Sequence, residues 1–286
     1  MNSWIILAII YALCVGIFEC SKKKSMEKIS LYDTLAGFSL FALIGAAIID
    51  RDMYSINYNY LPLIALKTSV IVISWILCMK ALKNMLMSTY GITRLSQIIY
   101  TLIMSILILG EHITIKIIIG AIITIIGLVL VNLDKDNETE NTAKDKNKFK
   151  YILLLLIGVF FSSCSGIIDK IVLKNITSSQ LQFWFLFLLM IFYWLIALIK
   201  QRKVEVRKII KNKWLYISAL AVLIGDRCLF IANENPDSMV SIMSIIKQLS
   251  AVESVFFGKL FFGEKNILRK LLYSLIVISG IVIIFI

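Results

Sequence analysis

The sequence LGEHITIKIIIGAIITIIGLVLV, residues 109–131, returns in a related form as FGEKNILRKLLYSLIVISGIVII, residues 262–284. Each segment places a Gly-Glu pair before an apolar run that contains one late glycine. Glu111 aligns with Glu264, a difference of 153 positions. Self-similarity at a fixed offset indicates that one structural unit occurs twice in the chain.

The composition identifies the class of protein to which this repeat belongs. Of the 286 residues, 59% are hydrophobic, whereas soluble domains are about 45–50% apolar. A helix of about 20 apolar residues crosses the hydrocarbon core of a bilayer. The apolar runs therefore predict an all-α polytopic membrane protein with ten transmembrane helices, at about 3–20, 31–49, 61–80, 84–109, 113–133, 151–172, 180–199, 214–232, 237–262 and 267–286.

Five of these spans precede a polar, charged segment and five follow it. A second similarity, between CVGIFE (14–19) and CSGIID (164–169), extends the repeat to the first span of each half. Because five is an odd number, the second half enters the membrane from the opposite side, which makes the repeat inverted. The predicted domains are a five-helix repeat over 1–133, a linker over 134–150 and a second five-helix repeat over 151–286.

Several function classes find no support in the sequence. The net charge of +12 comes mainly from short gaps between apolar runs, where cytoplasmic loops carry excess Lys and Arg, so we expect no nucleic-acid partner. The five cysteines lie mostly inside apolar runs and His112 has no companion ligand, so we expect no disulfide framework and no metal. No phosphate-binding, zincin or nucleophile-elbow motif occurs, so we predict no enzyme, no cofactor and no nucleotide hydrolysis.

The stretch YGITRLSQIIYT, residues 90–101, places Arg94 in the middle of span 4. An arginine at the centre of a membrane helix costs roughly 2.5–3.5 kcal/mol on insertion scales, so it marks a pair or a function. With the offset of 153, Arg94 aligns with Lys247 in span 9. Each cation is flanked on one helical face by small or polar residues at positions −3, +3 and +7. These are Gly91, Gln97 and Thr101, with Tyr90 beside them, and Ser244, Ser250 and Ser254.

A resemblance to a known family is carried by residues 79–132 and 231–284. Each segment has a short link between the third and fourth spans of its half, a long fourth span that ends in Gly-Glu, and a fifth span with a late glycine. Both segments resemble the EamA-type repeat of the drug/metabolite transporter superfamily, and the resemblance covers nearly the whole chain. One departure is that neither span 4 nor span 9 contains the mid-span proline that family members often have.

The resemblance implies a central cavity lined by spans 1, 3, 4, 6, 8 and 9, with alternating access and with spans 5 and 10 at the periphery. The substrates of the family are varied small metabolites, including amino acids, nucleotide sugars, sugar phosphates and drugs. The fold therefore does not name the substrate.

Ionisable residues inside the spans are the candidate site, because such residues usually face an interior and usually pair. The deepest six are Lys67, Arg94, Arg227 and Lys247, with Asp226 and Glu253, while Glu19 and Asp169 lie late in spans 1 and 6. Four cations against two anions favour an anionic or zwitterionic ligand. One hypothesis is that Arg94 and Lys247 bind the anionic group of the ligand, since both side chains bind carboxylate and phosphate.

Further substrate contacts are predicted at four residues near this pair: Gln97, Tyr90, Ser244 and Lys67. The competing hypothesis is structural, with acids such as Asp226 and Glu253 neutralising both cations. Asp226 and Glu253 are also candidates for a coupling proton, and Arg227, which adjoins Asp226, belongs to the same set of coupling or charge-pair residues.

Glu111 and Glu264 are predicted to have a structural role at helix ends. Each follows a long span and precedes the next helix. As acids in the first turn of spans 5 and 10, they would complement the helix dipole.

Charge also predicts the orientation. The loops after spans 1, 3, 5, 7 and 9 hold about twenty Lys and Arg, whereas the alternate loops and both termini hold about four. Positively charged loops are cytoplasmic. We therefore expect residues 134–150 in the cytoplasm and both termini outside, in a plasma-membrane protein, although many ten-span relatives are thought to keep both termini in the cytoplasm.

The function predicted from the sequence is secondary transport of a small anionic or zwitterionic metabolite: an amino acid, an organic acid or a phosphorylated compound. The expected partners are this substrate and the lipid bilayer, with proton coupling and a homodimer both compatible with the sequence. Two alternatives stay open: an exporter of lipophilic cations or drugs that relies on Asp226 and Glu253, and a non-transporting membrane subunit or flippase component.

Overall fold

The computed structural model describes residues 3–49, 51–112, 114–133, 148–264 and 267–285. Helices make up most of this part of the chain, and no strand occurs within it. The helices are α1 (Ser3–Met26), α2 (Leu31–Ile49), α3 (Leu61–Asn84), α4 (Met87–Thr93), α5 (Gln97–Met104), α6 (Ile115–Leu133), α7 (Lys148–Val172), α8 (Ser178–Gln201), α9 (Val206–Lys211), α10 (Lys213–Glu234), α11 (Val240–Ile246), α12 (Leu249–Phe262) and α13 (Ile267–Phe285).

Within the described residues, eight segments are long and apolar enough to cross a membrane. They coincide with the predicted spans 1 to 4 and 6 to 9, and they confirm a polytopic helical membrane protein. The segments are Ser3–Met26, Leu31–Ile49, Tyr58–Asn84, Met87–Leu109, Phe149–Val172, Ser178–Gln201, Lys213–Glu234 and Val240–Phe262. The predicted spans 5 and 10 correspond to α6 and α13, helices of 19 residues each. Most of the predicted linker, residues 134–147, lies outside the described residues.

Helices of the first half pack mainly against helices of the second half. α1 packs along α10, α3 along α7, α2 along α8 and α6 along α13. Large apolar side chains fill these contacts, among them Phe38 of α2 and Phe185 of α8, which belong to one core cluster. This pairing brings the polar residues of α1, α3, α7 and α10 together in the interior of the protein.

Spans 4 and 9 are both interrupted at their central cation, although neither contains a proline. In span 4 a 3-10 turn over Arg94–Ser96 separates α4 from α5. In span 9 two residues, Lys247 and Gln248, separate α11 from α12. Both cations therefore lie at helix ends within the span.

The break in span 9 has an identifiable cause in Gln248. Its backbone N–H donates to the carbonyl of Ile245 at 3.0 Å, as in a tighter turn. Its side-chain amide donates at 2.8 Å to the carbonyl of Ser244, which a regular helix would pair with the backbone N–H of residue 248. A side chain that enters the hydrogen-bond ladder breaks a helix without proline.

Candidate functional site

A cavity lies among the helices of both halves and encloses about 930 Å³ of space not filled by protein atoms, open solvent at its mouth included. Its walls come from spans 1, 3, 4, 6, 8 and 9, with one contribution, Phe185, from α8. The polar and charged lining residues are Tyr11, Lys67, Arg94, Gln97, Thr101, Ser162, Ser163, Ser165, Asp169, Asp226, Asn233, Ser244 and Lys247.

Arg94 lines this cavity and is paired. Its Nη1 lies 2.6 Å from Oε1 of Glu19 on α1. The other oxygen of Glu19 accepts from the hydroxyl of Tyr90 at 3.1 Å and lies 3.0 Å from Nζ of Lys22. One buried carboxylate is thus shared between two cations, which leaves this cluster with one positive charge.

Lys67 has a carboxylate partner of its own. Its Nζ lies 2.7 Å from Oδ1 of Asp169 on α7, and it sits over the rings of Phe185 and Phe230 at 3.7 Å and 4.4 Å. A buried ammonium between a carboxylate and two aromatic faces is well compensated. Lys67 therefore joins α3 to α7 at the cavity wall.

Lys247 differs from these two cations. It is 8% exposed and lines the cavity, and its Nζ lies 5.5 Å from the ring centre of Tyr11. Among the described residues, no carboxylate lies within 4 Å of it. Asp226 lines the same cavity and likewise has no cation within 4 Å in the described part of the chain. The cavity thus presents one ammonium and one carboxylate that remain unpaired.

The neutral residues predicted beside the cations fall into two groups: two that hydrogen-bond to another helix, and one whose hydroxyl has no partner among the described residues. Gln97 lines the cavity and donates to the hydroxyl of Ser162 at 3.3 Å, while Thr101 contacts Ser163 at 3.1 Å, so both face α7. Ser244 lines the cavity, and its buried hydroxyl has no hydrogen-bond partner among the described residues.

Three predicted site residues lie away from the cavity walls. Tyr90 is fully buried behind Glu19, so its contact is with the carboxylate rather than with the cavity. Arg227 points to α8, where it donates to Gln182 at 2.7 Å and to Ser179 at 2.8 Å. Glu253 packs against Gly16 of α1, and its two carboxylate oxygens are buried.

Glu111 and Glu264 form matching contacts between the halves. Glu264 accepts from the backbone N–H of Met87 at 2.5 Å, from that of Ser88 at 3.2 Å and from the Ser88 hydroxyl. Glu111 accepts from the N–H of Val240 at 2.7 Å, and from the N–H and hydroxyl of Ser241 at 3.2 Å and 2.5 Å. We name these contacts the Glu264 cap and the Glu111 cap.

The two caps obey the same offset of 153, since Met87 corresponds to Val240 and Ser88 to Ser241. Each carboxylate follows a left-handed glycine, Gly110 (φ 66°) or Gly263 (φ 63°). Glycine ends a helix in this conformation without the strain of a Cβ. The turn aims each carboxylate at the first turn of α11 or α4 in the other half, rather than at the helix that follows it.

Two features of the site are not among those predicted from the sequence. The predicted span 1 ends at about residue 20, but α1 continues to Met26, and Lys22 is buried against Phe18 and Glu19. The spacing of Glu19 and Lys22, three residues apart on one helical face, was the available signal. The serines of α7 also contribute to the cavity, and nothing in their spacing singled them out from other small residues of a buried helix.

The residues that the structure describes contain no group of three or more His, Cys, Asp or Glu side chains placed to hold a metal ion. The cavity is instead equipped with hydrogen-bonding groups and fixed charges, and it lies between helices from both halves. Such an arrangement is suited to a small polar ligand.

Comparisons with known proteins place the fold and the family. A crystal structure of another protein, 12% identical, superposes on this chain with a TM-score of 0.73 and covers 100% of this chain and 99% of its own, which shows a shared fold. A comparison with curated protein sequences gives no match. The sequence model of the EamA-like transporter family matches residues 2–133 and again residues 149–286. The chain therefore belongs to the EamA-like transporter family, within the drug/metabolite transporter superfamily.

Proposed function

We propose that this protein is a secondary transporter of a small anionic or zwitterionic metabolite, such as an amino acid, an organic acid or a phosphorylated compound. The observation that carries the proposal is Lys247, a nearly buried ammonium at the cavity wall with no carboxylate within 4 Å among the described residues. An unpaired charge in such a place is costly, so a bound anion would stabilise it.

The charges around the cavity support the same ligand. The walls hold three cations, Lys67, Arg94 and Lys247, against two carboxylates, Asp169 and Asp226. The lining therefore carries one formal positive charge in excess. Asp226 is unpaired like Lys247, so a ligand that carries both an ammonium and a carboxylate would satisfy both groups. A simple anion would satisfy Lys247 alone.

The proposed architecture is ten membrane spans in two inverted five-helix repeats, over 1–133 and 151–286, joined by the linker 134–150. The two matches of the family model support it, as do the Glu264 and Glu111 caps with their common offset. α6 and α13, the proposed fifth and tenth spans, pack on each other and expose large apolar residues such as Ile115 and Leu268, both 76% exposed. Lipid contact at the periphery accounts for this exposure.

Alternating access follows from this symmetry. In an inverted pair, corresponding structures lie at opposite faces of the membrane. Each cap ties the fourth span of one half to that of the other, so release of one cap with retention of the other would open the cavity on one side only. We place the protein in the plasma membrane, with the linker in the cytoplasm and both termini outside.

The unpaired carboxylate of Asp226 supports a second candidate, export of a lipophilic cation. In that case Asp226 binds the cargo and Lys247 is dispensable. The two candidates make opposite predictions for the removal of one charge, so the same experiment separates them.

The test is flux into proteoliposomes that contain the purified protein. The probes are L-alanine as a zwitterion, L-lactate and phosphate as anions, and tetraphenylphosphonium as a lipophilic cation. We expect protein-dependent movement of the zwitterion or an anion, with loss of this movement in Lys247→Gln and Arg94→Gln. Lys28→Gln, an exposed loop lysine, is the matched control and should transport normally.

Two results would contradict the proposal. If tetraphenylphosphonium alone moves, and still moves in Lys247→Gln but not in Asp226→Asn, the protein exports cations. If none of the probes moves while the protein is folded and inserted in the membrane, the result favours a non-transporting subunit or flippase component.

A further inference from the structure

Glu253 is a carboxylate inside span 9 that the proposed substrate site does not use. It lies in α12 and is absent from the cavity walls. Both of its oxygens are buried, and neither has a hydrogen-bond partner among the described residues. No described cation lies within 4 Å of it.

The position of this carboxylate is fixed by Gly16 of α1. A Cβ placed on Gly16 would overlap Oε2 of Glu253 and would lie 2.7 Å from its carboxyl carbon. The side chain therefore occupies the space that the glycine leaves open. α12 packs against α1, α4 and α13, and of the titratable side chains on these helices Cys14 of α1 interacts electrostatically with Glu253.

An ionised carboxylate at this place would be without compensation. An isolated charge in an apolar interior is strongly disfavoured, and the group neutralises instead. The surroundings favour the neutral acid, because no described cation lies within 4 Å of the Glu253 carboxylate and no described donor hydrogen-bonds to it.

We infer that Glu253 is a proton-binding site separate from the substrate cavity, and that its proton is the coupling ion of the transporter. In the conformation described here the proton is bound to the carboxylate between α1 and α12. When α1 and α12 separate, water reaches the carboxylate, the O–H bond breaks and the proton passes to water. This inference rests on the alternating access proposed above.

The cavity provides the route by which binding of substrate can affect this proton. Cys14 and Val15 of α1 line the cavity, while Gly16, the next residue, contacts Glu253. One turn of α1 therefore has the substrate cavity on one side and the proton site on the other. A shift of α1 toward a bound ligand would change its distance from α12.

The first test needs no substrate. Infrared spectra of the wild type and of Glu253→Gln in lipid are compared over the carbonyl-stretch region of protonated carboxylic acids, which shifts on exchange into D₂O. We expect loss of one such band in Glu253→Gln, and no change in Glu27→Gln, an exposed carboxylate that pairs with Lys24. An unchanged band in Glu253→Gln would overturn the inference. Failure of Glu253→Gln to fold would overturn it as well, because the amide has the shape of the neutral acid.

The second test concerns coupling. For the fastest of the L-alanine, L-lactate and phosphate probes, Glu253→Gln should keep exchange across the membrane but lose accumulation driven by a pH gradient. Accumulation at the wild-type level would refute the role in coupling. Absence of any flux in the wild type would instead count against the proposed function, and the infrared result would still decide whether Glu253 binds a proton.

Discussion

Removal of the Glu264 carboxylate should destabilise the protein by about 3 kcal/mol. Glu264 is 9% exposed and accepts from two backbone N–H groups and one hydroxyl at the start of α4. A hydrogen bond to a charged group contributes roughly 1.5–3 kcal/mol, and loss of a helix cap costs about 0.5–2 kcal/mol. These contributions overlap at one helix end, so their sum exceeds the cost that we expect for Glu264→Ala.

The measurement is thermal unfolding of the purified protein, followed by tryptophan fluorescence. A change of 1 kcal/mol shifts the melting temperature of a domain of 150–250 residues by about 2–4 °C, so Glu264→Ala should melt roughly 6–12 °C below the wild type. Glu264→Gln should lose about half as much, since its carbonyl still accepts one bond. Glu27→Ala, which removes an exposed carboxylate, is the control and should change stability by less than about 0.5 kcal/mol. If Glu264→Ala and the control Glu27→Ala have the same melting temperature, the Glu264 cap does not stabilise the fold.

Three further variants test other contacts. Gly16→Ala should destabilise the protein by about 1–3 kcal/mol through overpacking against Glu253, and Glu253→Ala in the same chain should recover most of the lost melting temperature; no recovery would show that the close contact is not the cause. Asp169→Asn should cost about 3–5 kcal/mol because it leaves Lys67 buried and unpaired. Joint replacement of Asp169 and Lys67 by apolar residues should cost less, and equal melting temperatures of the single and the double variant would contradict this. Gln248→Leu should cost about 1–3 kcal/mol by removing the donor to the carbonyl one turn earlier, as measured by thermal unfolding, and wild-type stability would refute the role given to its amide.

The sequence was sufficient for the parts of the fold that depend on composition and repetition. Apolar runs of membrane thickness predicted the eight segments that the structure describes as candidate spans. The offset of 153 that aligns Glu111 with Glu264 also aligns their contacts, Val240 with Met87 and Ser241 with Ser88. The positions of the spans can be predicted in this way because a transmembrane helix must be apolar along its whole length.

The sequence was less informative about which charges pair. Arg94 and Lys67 were identified as deep cations, but their partners Glu19 and Asp169 come from helices far away in the chain. Such pairing depends on which helices pack together, and periodicity within one helix does not contain it. Lys22 was missed for a related reason, since a lysine near the end of an apolar run is normally a loop residue.

The sequence pattern also did not predict the helix breaks in spans 4 and 9. The absence of proline in spans 4 and 9 gave no reason to expect an interruption at Arg94 and Lys247, yet both spans are interrupted there. At Lys247 the cause is a side-chain amide that replaces a backbone donor. Glutamine is common in helices, and only its rotamer in the folded chain reveals this role.

The role of Lys247 in ligand binding is tested most directly by calorimetric titration of the purified wild type and of Lys247→Gln. The ligand is the one of L-alanine, L-lactate and phosphate that raises the melting temperature of the wild type most. Loss of a charge-assisted contact of about 1.5–3 kcal/mol should weaken binding roughly 10- to 150-fold in Lys247→Gln. Lys28→Gln, which changes an exposed residue that does not line the cavity, should bind like the wild type. Equal affinity in the wild type and in Lys247→Gln would contradict the claim that this ammonium receives the ligand's anionic group.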